Sequence, residues 1–194
     1  MTRVSLTRTA HELIETILRP GDRAIDATVG NGHDTLFLAR CVGDSGRVFG
    51  FDIQSRALRK TADKLAQQGM TARTALFNVD HSQMGRTIPA DSHGKIKVAM
   101  FNLGYLPGGD KTITTQTANT VKAIAVAAEM TSAHGLISIL AYPGHPEGAL
   151  ETDAVEHYLY SLPAQDYQVR TLASQHPTPS APRLFVVEKK PMER

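Results

Sequence analysis

The spacing of apolar side chains along the chain predicts helices that alternate with short, buried strands. Apolar residues between Val4 and Leu18 recur at helical spacing, and Pro20-Gly21 ends this first helix. The short apolar runs that follow are separated by amphipathic stretches, which is typical of parallel strands joined by helices. We predict strands over residues 24–27, 47–52, 71–77, 96–103 and 135–142, helices over residues 55–68, 114–130 and 151–162, and one further helix that carries residues 36–39.

The end of the chain breaks this alternation. Residues 168–172 and 184–188 predict an antiparallel pair of strands, separated by a proline-rich loop over residues 173–183. The predicted fold class is therefore α/β, with a mostly parallel seven-stranded sheet, helices on both faces and a C-terminal antiparallel hairpin. No repeat or linker divides the sequence, so we expect residues 1–194 to form a single domain in which residues 1–20 supply a flanking helix.

A glycine turn after the first strand carries the most informative chemistry. Gly30 and Gly32 permit a sharp turn and the close approach of a ligand, and we expect Asp34 to cap the next helix. Dinucleotide-binding turns use G-x-G-x-x-G to hold a pyrophosphate, whereas this turn lacks the third glycine and Asp26 would repel a phosphate. An acid suits instead the ammonium group of S-adenosylmethionine. The pattern resembles motif I of class I methyltransferases, with Thr28 in place of a glycine, and a plain strand-to-helix turn is the alternative.

Further candidate ligand-binding residues follow the second and third strands. Asp52 ends the second strand, where an acid can accept hydrogen bonds from ribose hydroxyls, and Gln54 stands close enough to assist with ribose or adenine. Asp80 and His81 follow the third strand, where an adenine edge would lie. The alternatives are a helix-capping role for Asp52 and a solvated loop position for His81.

The fourth strand ends in Asn102-Leu-Gly-Tyr105, which resembles the (D/N)-P-P-(Y/F) motif of amino-group methyltransferases. The Asn102 side-chain oxygen can accept a hydrogen bond from a target amine, and the Tyr105 ring can stack on a planar substrate. The alternative is a turn in which Asn102 caps the strand end and Tyr105 packs. After the fifth strand, Tyr142 or His145 can accept the proton of an ammonium substrate, unless this proline- and glycine-rich stretch only shapes a loop.

Composition limits the possible partners, metal sites and cellular location of the protein. The formal net charge is only +2, so an RNA partner would have to meet a local basic patch rather than a strongly basic protein. Cys41 is the only cysteine, which excludes an internal disulfide, and no motif with metal-ligand spacing stands out. Since no apolar run reaches the ~20 residues of a membrane span, we expect a cytoplasmic protein without membrane contact.

Four stretches together carry a family resemblance that spans nearly the whole chain. They are residues 26–39, 51–54, 101–111 and 144–148, and they resemble the YtqB/MnmM family of class I S-adenosylmethionine-dependent methyltransferases, long labelled rRNA methylases. The resemblance implies a Rossmann-like fold and the conversion of 5-aminomethyl-2-thiouridine to its methylaminomethyl form at the tRNA wobble position. It also implies cofactor contacts at the matching positions Gly30, Asn31, Gly32, Asp34, Asp52, Gln54 and His81.

The sequence thus predicts one site with two groups of residues. The candidate cofactor-binding residues are Asp26, Gly30, Asn31, Gly32, Asp34, Thr35, Asp52, Gln54, Asp80 and His81, and the candidate catalytic residues are Asn102, Tyr105, Tyr142 and His145. We expect the anticodon stem-loop of tRNA as partner and a homodimer, because one small domain offers limited area for RNA. Methylation of rRNA or of a small amine, a dinucleotide-binding oxidoreductase and a non-catalytic RNA-binding module remain as alternatives.

Overall fold

The computed structural model describes residues 5–104, 114–173 and 178–191. Within them the strands are β1 (Arg23–Asp26), β2 (Arg47–Phe51), β3 (Thr74–Phe77), β4 (Ile96–Asn102), β5 (Thr131–Ala141), β6 (Tyr167–Ala173) and β7 (Arg183–Lys189). The helices are α1 (Leu6–Ile17), α2 (His33–Val42), α3 (Ser55–Gln67), α4 (Met84–Thr87), α5 (Thr117–Met130) and α6 (Pro146–Ser161). The predicted alternation of strands and helices is confirmed.

The strands form one sheet in the order β3-β2-β1-β4-β5-β7-β6. β1 to β5 pair in parallel, whereas β7 runs antiparallel to both β5 and β6. The predicted C-terminal hairpin is therefore confirmed. The carboxyl ends of β1, β2, β3 and β4 meet at one edge of the sheet, which is where ligands bind in folds of this kind.

Successive residues of the central strands point to opposite faces and bury both of them. Ile25 and Phe101 belong to a core layer that includes Ile124 of α5. Ala24 packs in a second layer with Ile14 of α1, and Leu38 of α2 lies in that same layer. This two-sided burial explains why the strands carry continuous apolar runs rather than a simple alternation.

Several predicted boundaries differ from the observed ones; α5, for example, begins at Thr117 rather than at residue 114. Residues 71–73 form a short 3₁₀ helix, so β3 begins at Thr74 rather than at residue 71. β5 begins at Thr131, directly after α5, and accommodates a register shift with β4 and the positive φ of His134. α6 begins at Pro146 rather than at residue 151, because a proline suits the first turn of a helix, where no main-chain N–H donor is needed.

The cap of α2 also differs from the prediction. Gly32 occupies the N-cap position in a left-handed conformation, with φ 79° and ψ 12°, and no side chain caps the helix. Asp34 lies inside the first turn instead, and its Oδ1 lies 2.8 Å from Nε2 of His11 in α1. The expectation that Asp34 caps α2 is therefore wrong.

Across the described ranges, every helix is too short or too polar to cross a membrane.

Candidate active site at the carboxyl edge of the sheet

A main-chain hydrogen bond joins the glycine turn to the end of β2. The Gly30 N–H donates to Oδ2 of Asp52 at 2.8 Å, and the Gln54 N–H donates to Oδ1 of the same carboxylate, also at 2.8 Å. Gly30 adopts a φ of 50°, a conformation that favours glycine. Asp52 thus fixes the turn and the start of α3 together.

The other side of the turn is held by α3. A Cβ built on Gly32 would lie 2.5 Å from Oγ1 of Thr61, so only glycine allows α2 and α3 to pack this closely. Lys60 Nζ donates to the Asn31 side-chain oxygen at 3.1 Å, and Lys64 Nζ donates to the Asn31 main-chain carbonyl at 2.6 Å. The turn is therefore a rigid element between two helices.

Asp26 lies beneath the turn and is 1% exposed. Its Oδ1 accepts a hydrogen bond from the Thr28 N–H at 3.1 Å, and its Oδ2 accepts one from the Thr35 hydroxyl at 2.5 Å. Burial, followed by the nearby Asp34 and Asp52 carboxylates, raises the pKa of Asp26 to about 7. The Asp34 and Asp52 carboxylates thus lie near enough to act on Asp26, and this cluster of acids favours a cationic ligand over an anionic one.

His11, which the sequence analysis did not single out, also lies beside the glycine turn. The His11 ring stacks on Phe37 with 3.8 Å between centroids and 4° between planes, and its Nε2 lies 2.8 Å from the Asp34 carboxylate. Helix α1 is in this way connected to the acidic end of the site. No local sequence signal indicates this contact, because 23 residues separate His11 from Asp34.

Asp80 and His81 lie at the end of β3, on the α5 side of the site. Asp80 accepts hydrogen bonds from the Ser82 N–H at 2.8 Å and from the Asn119 amide at 3.0 Å. Although burial raises the pKa of Asp80, the hydrogen bonds from Ser82, the charge of His81 and the Asn119 bond together hold it below its usual value. Asp80 is therefore ionised near neutral pH.

His81 is buried, so the alternative of a solvated loop histidine is wrong. Its Nδ1 lies 3.2 Å from the Ala27 carbonyl, and among the described residues its Nε2 is buried without a hydrogen-bond partner. Burial lowers the pKa of His81, so the ring is neutral near pH ~7. A neutral ring that donates from Nδ1 to the carbonyl leaves Nε2 as an acceptor.

Thr28 connects the glycine turn to the end of β4. Its hydroxyl oxygen accepts a hydrogen bond from the Asn102 N–H at 2.8 Å. The residue that departs from the glycine pattern thus fixes the main chain that carries Asn102. Asn102 is half-buried, and Tyr105 lies outside the described residues.

Tyr142 and His145 follow β5, the neighbour of β4. Burial raises the pKa of the Tyr142 hydroxyl, against a smaller lowering by the Thr7 side chain. His145 is the N-cap of α6, and its Nδ1 accepts a hydrogen bond from the Gly148 N–H at 3.0 Å. His145 therefore has a structural role that the sequence analysis did not anticipate.

Ile53 is a second residue that the sequence analysis missed. This apolar side chain lies between Asp52 and Gln54 and is 52% exposed. Asn78 holds its main chain in place by donating hydrogen bonds to the Asp52 carbonyl at 3.0 Å and to the Ile53 carbonyl at 2.9 Å. An exposed apolar side chain beside a carboxylate suits the face of a flat ring next to a ribose. The feature of the sequence that could have indicated this role is the single isoleucine between two polar residues at the end of a strand.

The chain matches a family model and a curated protein. The model described as "Putative rRNA methylase" matches residues 48–188. The tRNA (mnm(5)s(2)U34)-methyltransferase of Arabidopsis thaliana, a chloroplastic protein, is 39% identical over 173 residues, which are 85% of this chain. The matched region is 62% of the length of that relative, so the chain spans about three fifths of it.

Solved structures match over nearly the full length. A "putative rRNA-methylase" from Clostridium thermocellum is 35% identical with a TM-score of 0.91, covering 97% of this chain and 100% of that one. A "putative methyltransferase" from Streptococcus mutans in complex with SAH is 32% identical with a TM-score of 0.85, covering 97% and 99%. A Thermotoga maritima SAM-dependent O-methyltransferase, 17% identical with a TM-score of 0.65, covers 100% of this chain and 69% of that one and shares the fold.

Since the family model covers most of the chain and two solved structures match it almost from end to end, the protein has the class I methyltransferase fold and belongs to the "Putative rRNA methylase" family.

Proposed function

We propose that the protein is an S-adenosylmethionine-dependent N-methyltransferase of tRNA. Its reaction would convert 5-aminomethyl-2-thiouridine to 5-methylaminomethyl-2-thiouridine at the wobble position. The observation that carries this proposal is the 39% identity, over 85% of the chain, to a protein named tRNA (mnm(5)s(2)U34)-methyltransferase.

The residues at the glycine turn fit S-adenosylmethionine. The carboxylates of Asp26, Asp34 and Asp52 favour a ligand with an ammonium and a sulfonium group over a dinucleotide with a pyrophosphate. Asp52 would bind the ribose and Ile53 would contact the adenine. The Streptococcus mutans relative was solved with SAH, which is the cofactor without its methyl group.

Asn102 is the residue that we propose to orient the substrate. When bound, S-adenosylmethionine would supply an electrophilic methyl carbon. The Asn102 side-chain oxygen would accept a hydrogen bond from the aminomethyl nitrogen and so direct its lone pair. Because Thr28 holds the Asn102 main chain at 2.8 Å, the side chain starts from a fixed position, which lowers the entropy cost of orientation.

The amine must lose a proton, since an alkylamine is mostly protonated near neutral pH. Of the two residues after β5, His145 is the better acceptor. Its imidazole can take a proton at Nδ1 if the cap bond to Gly148 opens, whereas the raised pKa of Tyr142 keeps that residue a neutral phenol. Tyr142 would then contribute contacts to the substrate.

We further propose that the partner is the anticodon stem-loop, that the protein acts as a homodimer and that it works in the cytoplasm. The tRNA named for the Arabidopsis relative supports the first point. The small size of the domain, against the interface that RNA recognition needs, supports the second. A cytoplasmic location is compatible with a tRNA substrate, whereas the Arabidopsis relative named for that substrate is a chloroplastic protein.

The decisive experiment measures transfer of a labelled methyl group from S-adenosylmethionine to bulk tRNA and, separately, to ribosomal RNA. We expect label in tRNA alone. Mass spectrometry of wobble nucleosides from a deletion strain should show accumulated 5-aminomethyl-2-thiouridine. Label in ribosomal RNA only would support the rRNA alternative, and RNA binding without any methyl transfer would support a non-catalytic module.

The cofactor is tested separately by calorimetry. We expect tight binding of S-adenosylhomocysteine and no measurable binding of NAD, because the acidic turn disfavours a pyrophosphate. The reverse result would overturn the methyltransferase proposal in favour of a dinucleotide-binding oxidoreductase.

A further inference from the structure

Helix α6 contains a buried carboxylate that the proposed reaction does not use. Glu151 is 4% exposed. Its Oε2 accepts a hydrogen bond from the Thr115 hydroxyl and its Oε1 accepts one from the Thr120 hydroxyl, both at 2.6 Å. Within the described part of the chain, no lysine or arginine forms an ion pair with it. Burying a carboxylate costs free energy that hydrogen bonds or a cation must offset, and among the described residues the two threonine hydroxyls supply this compensation.

The first of these hydroxyls leads back to the end of β4. The Gly104 N–H donates to Oγ1 of Thr115 at 2.9 Å, and the Thr115 N–H donates to the Gly104 carbonyl at 3.2 Å. A hydroxyl has one hydrogen, and Thr115 donates its hydrogen to Oε2 of Glu151. Glu151 therefore takes the hydrogen of Thr115 and leaves a lone pair of that oxygen for the Gly104 N–H.

Gly104 is two residues beyond Asn102, and three successive main-chain amides are fixed at this point. The Asn102 N–H donates to the Thr28 hydroxyl oxygen at 2.8 Å, and the Leu103 N–H donates to the Leu140 carbonyl at 2.9 Å. The Gly104 N–H completes the series at Thr115. Gly104 has a φ of 116°, which glycine adopts without a steric penalty, so its hydrogen bonds rather than its own conformational preference hold it there.

We propose that Glu151 is a positioning residue for methyl transfer. It orients the Thr115 hydroxyl, the hydroxyl holds Gly104, and the fixed main chain sets the direction of the Asn102 side chain. Glu151 itself contacts neither substrate nor cofactor in this scheme. The inference rests on the proposed function, since it assigns Asn102 to the acceptor amine.

Thr115→Val and Thr115→Ser form the matched pair that tests this. Valine has nearly the same shape but no hydroxyl, whereas serine keeps the hydroxyl. With tRNA and S-adenosylmethionine, we expect T115V to lower kcat about tenfold, in line with the sensitivity of such reactions to small misplacements, and T115S to stay within about twofold of the wild type. Glu151→Gln, which cannot accept from both hydroxyls, should also lower kcat.

The affinity for S-adenosylhomocysteine should be unchanged in all three variants. Glu156→Gln is the control, because Glu156 is a carboxylate on the same helix that pairs with Arg183 instead, with Arg183 Nη1 at 2.7 Å from Oε2 of Glu156. This variant should leave kcat as it is.

Hydrogen exchange of the Gly104 amide, followed by NMR, gives a readout that does not depend on activity. Exchange should be faster in T115V and E151Q, and unchanged in T115S and E156Q. Unchanged Gly104 exchange in T115V, or faster exchange with an unaltered kcat, would overturn the inference. A wild-type protein that methylates no RNA would instead overturn the proposed function, and with it the catalytic part of this scheme, whatever the exchange rates.

Discussion

At the residue scale, the unusual group is the buried Asp26 carboxylate. It has two hydrogen-bond donors, Thr28 and Thr35, yet burial and two neighbouring acids raise its pKa to about 7. Asp26 therefore shapes the turn and adds negative charge to it only as the pH approaches neutrality. A cationic ligand placed beside it would favour the ionised form.

This raised pKa predicts how stability depends on pH. The folded state keeps a proton on Asp26 that the unfolded chain releases near the ordinary aspartate pKa of 3.8, so the contribution to stability is full below that pH and is lost as the pH rises through about 7. Asp26→Asn removes this dependence. Between about pH 5 and about pH 8, urea unfolding should show the wild type losing about 3 kcal/mol more than D26N. Parallel pH profiles of the two proteins would contradict the assignment.

Asn102→Ala tests the proposed acceptor residue. The alanine side chain cannot accept a hydrogen bond from the amine, while the main-chain bond to Thr28 remains possible. We expect methyl transfer to tRNA to fall by about a hundredfold or more, with the affinity for S-adenosylhomocysteine nearly unchanged. Loss of cofactor binding in calorimetry would show that Asn102 has a different role.

At the element scale, the contact between α2 and α3 depends on one glycine. Gly32→Ala introduces a Cβ that collides with Thr61 and forces a side chain into a φ of 79°. Gly69→Ala is the matched control, since its φ of 66° imposes the same strain but nothing lies within 4 Å. We expect a loss of about 1 kcal/mol for G69A from urea unfolding, and about 3 kcal/mol or more for G32A. Equal losses would show that the packing against Thr61 is not tight.

The start of α6 allows the cap and the proposed chemistry of His145 to be separated. His145→Asn keeps a side-chain acceptor for the Gly148 N–H, whereas His145→Ala does not. Stability from thermal unfolding should be close to wild type in H145N and about 1 kcal/mol lower in H145A. If His145 accepts the proton, both variants should lose activity near neutral pH, and full activity of H145N would exclude that role.

At the scale of the whole molecule, the proposed binding of a tRNA stem-loop demands a large contact surface from a small chain. The described residues form a single sheet with helices on both faces, and the formal net charge is only +2. A second copy would double the surface available to RNA. Sedimentation velocity over a concentration series should therefore give twice the chain mass, and a monomer at every concentration would contradict the proposed homodimer.

Local sequence patterns predicted secondary structure well where apolar residues recur regularly or where glycines mark a turn. The buried strands around Ile25 and Val98 follow from their apolar runs, and the antiparallel hairpin follows from the two final runs. Gly30 and Gly32 do adopt positive φ, as the turn pattern indicated. The boundary of α6 was missed although Pro146 is a readable signal, because a histidine cap is uncommon.

The parts that could not be predicted are contacts between residues far apart in the sequence. Thr28 and Asn102 are 74 residues apart, and Thr115 and Glu151 are 36 residues apart, yet each pair forms a hydrogen bond in the folded chain. The Asp34 prediction failed for the same reason, since its partner is in α1 rather than in its own helix. A short polar side chain has several acceptable partners, and only the packing of helices against the sheet selects one.

The sequence by itself determined the order of strands and helices, the glycine turn and the acids that end its strands, because hydrophobic periodicity and backbone preference act over a few residues. Only the tertiary structure decided that three carboxylates share one turn, that His81 is buried and neutral, and that Glu151 reaches the end of β4 through Thr115. Burial and electrostatic coupling depend on distances through space, and those distances exist only after the sheet has assembled.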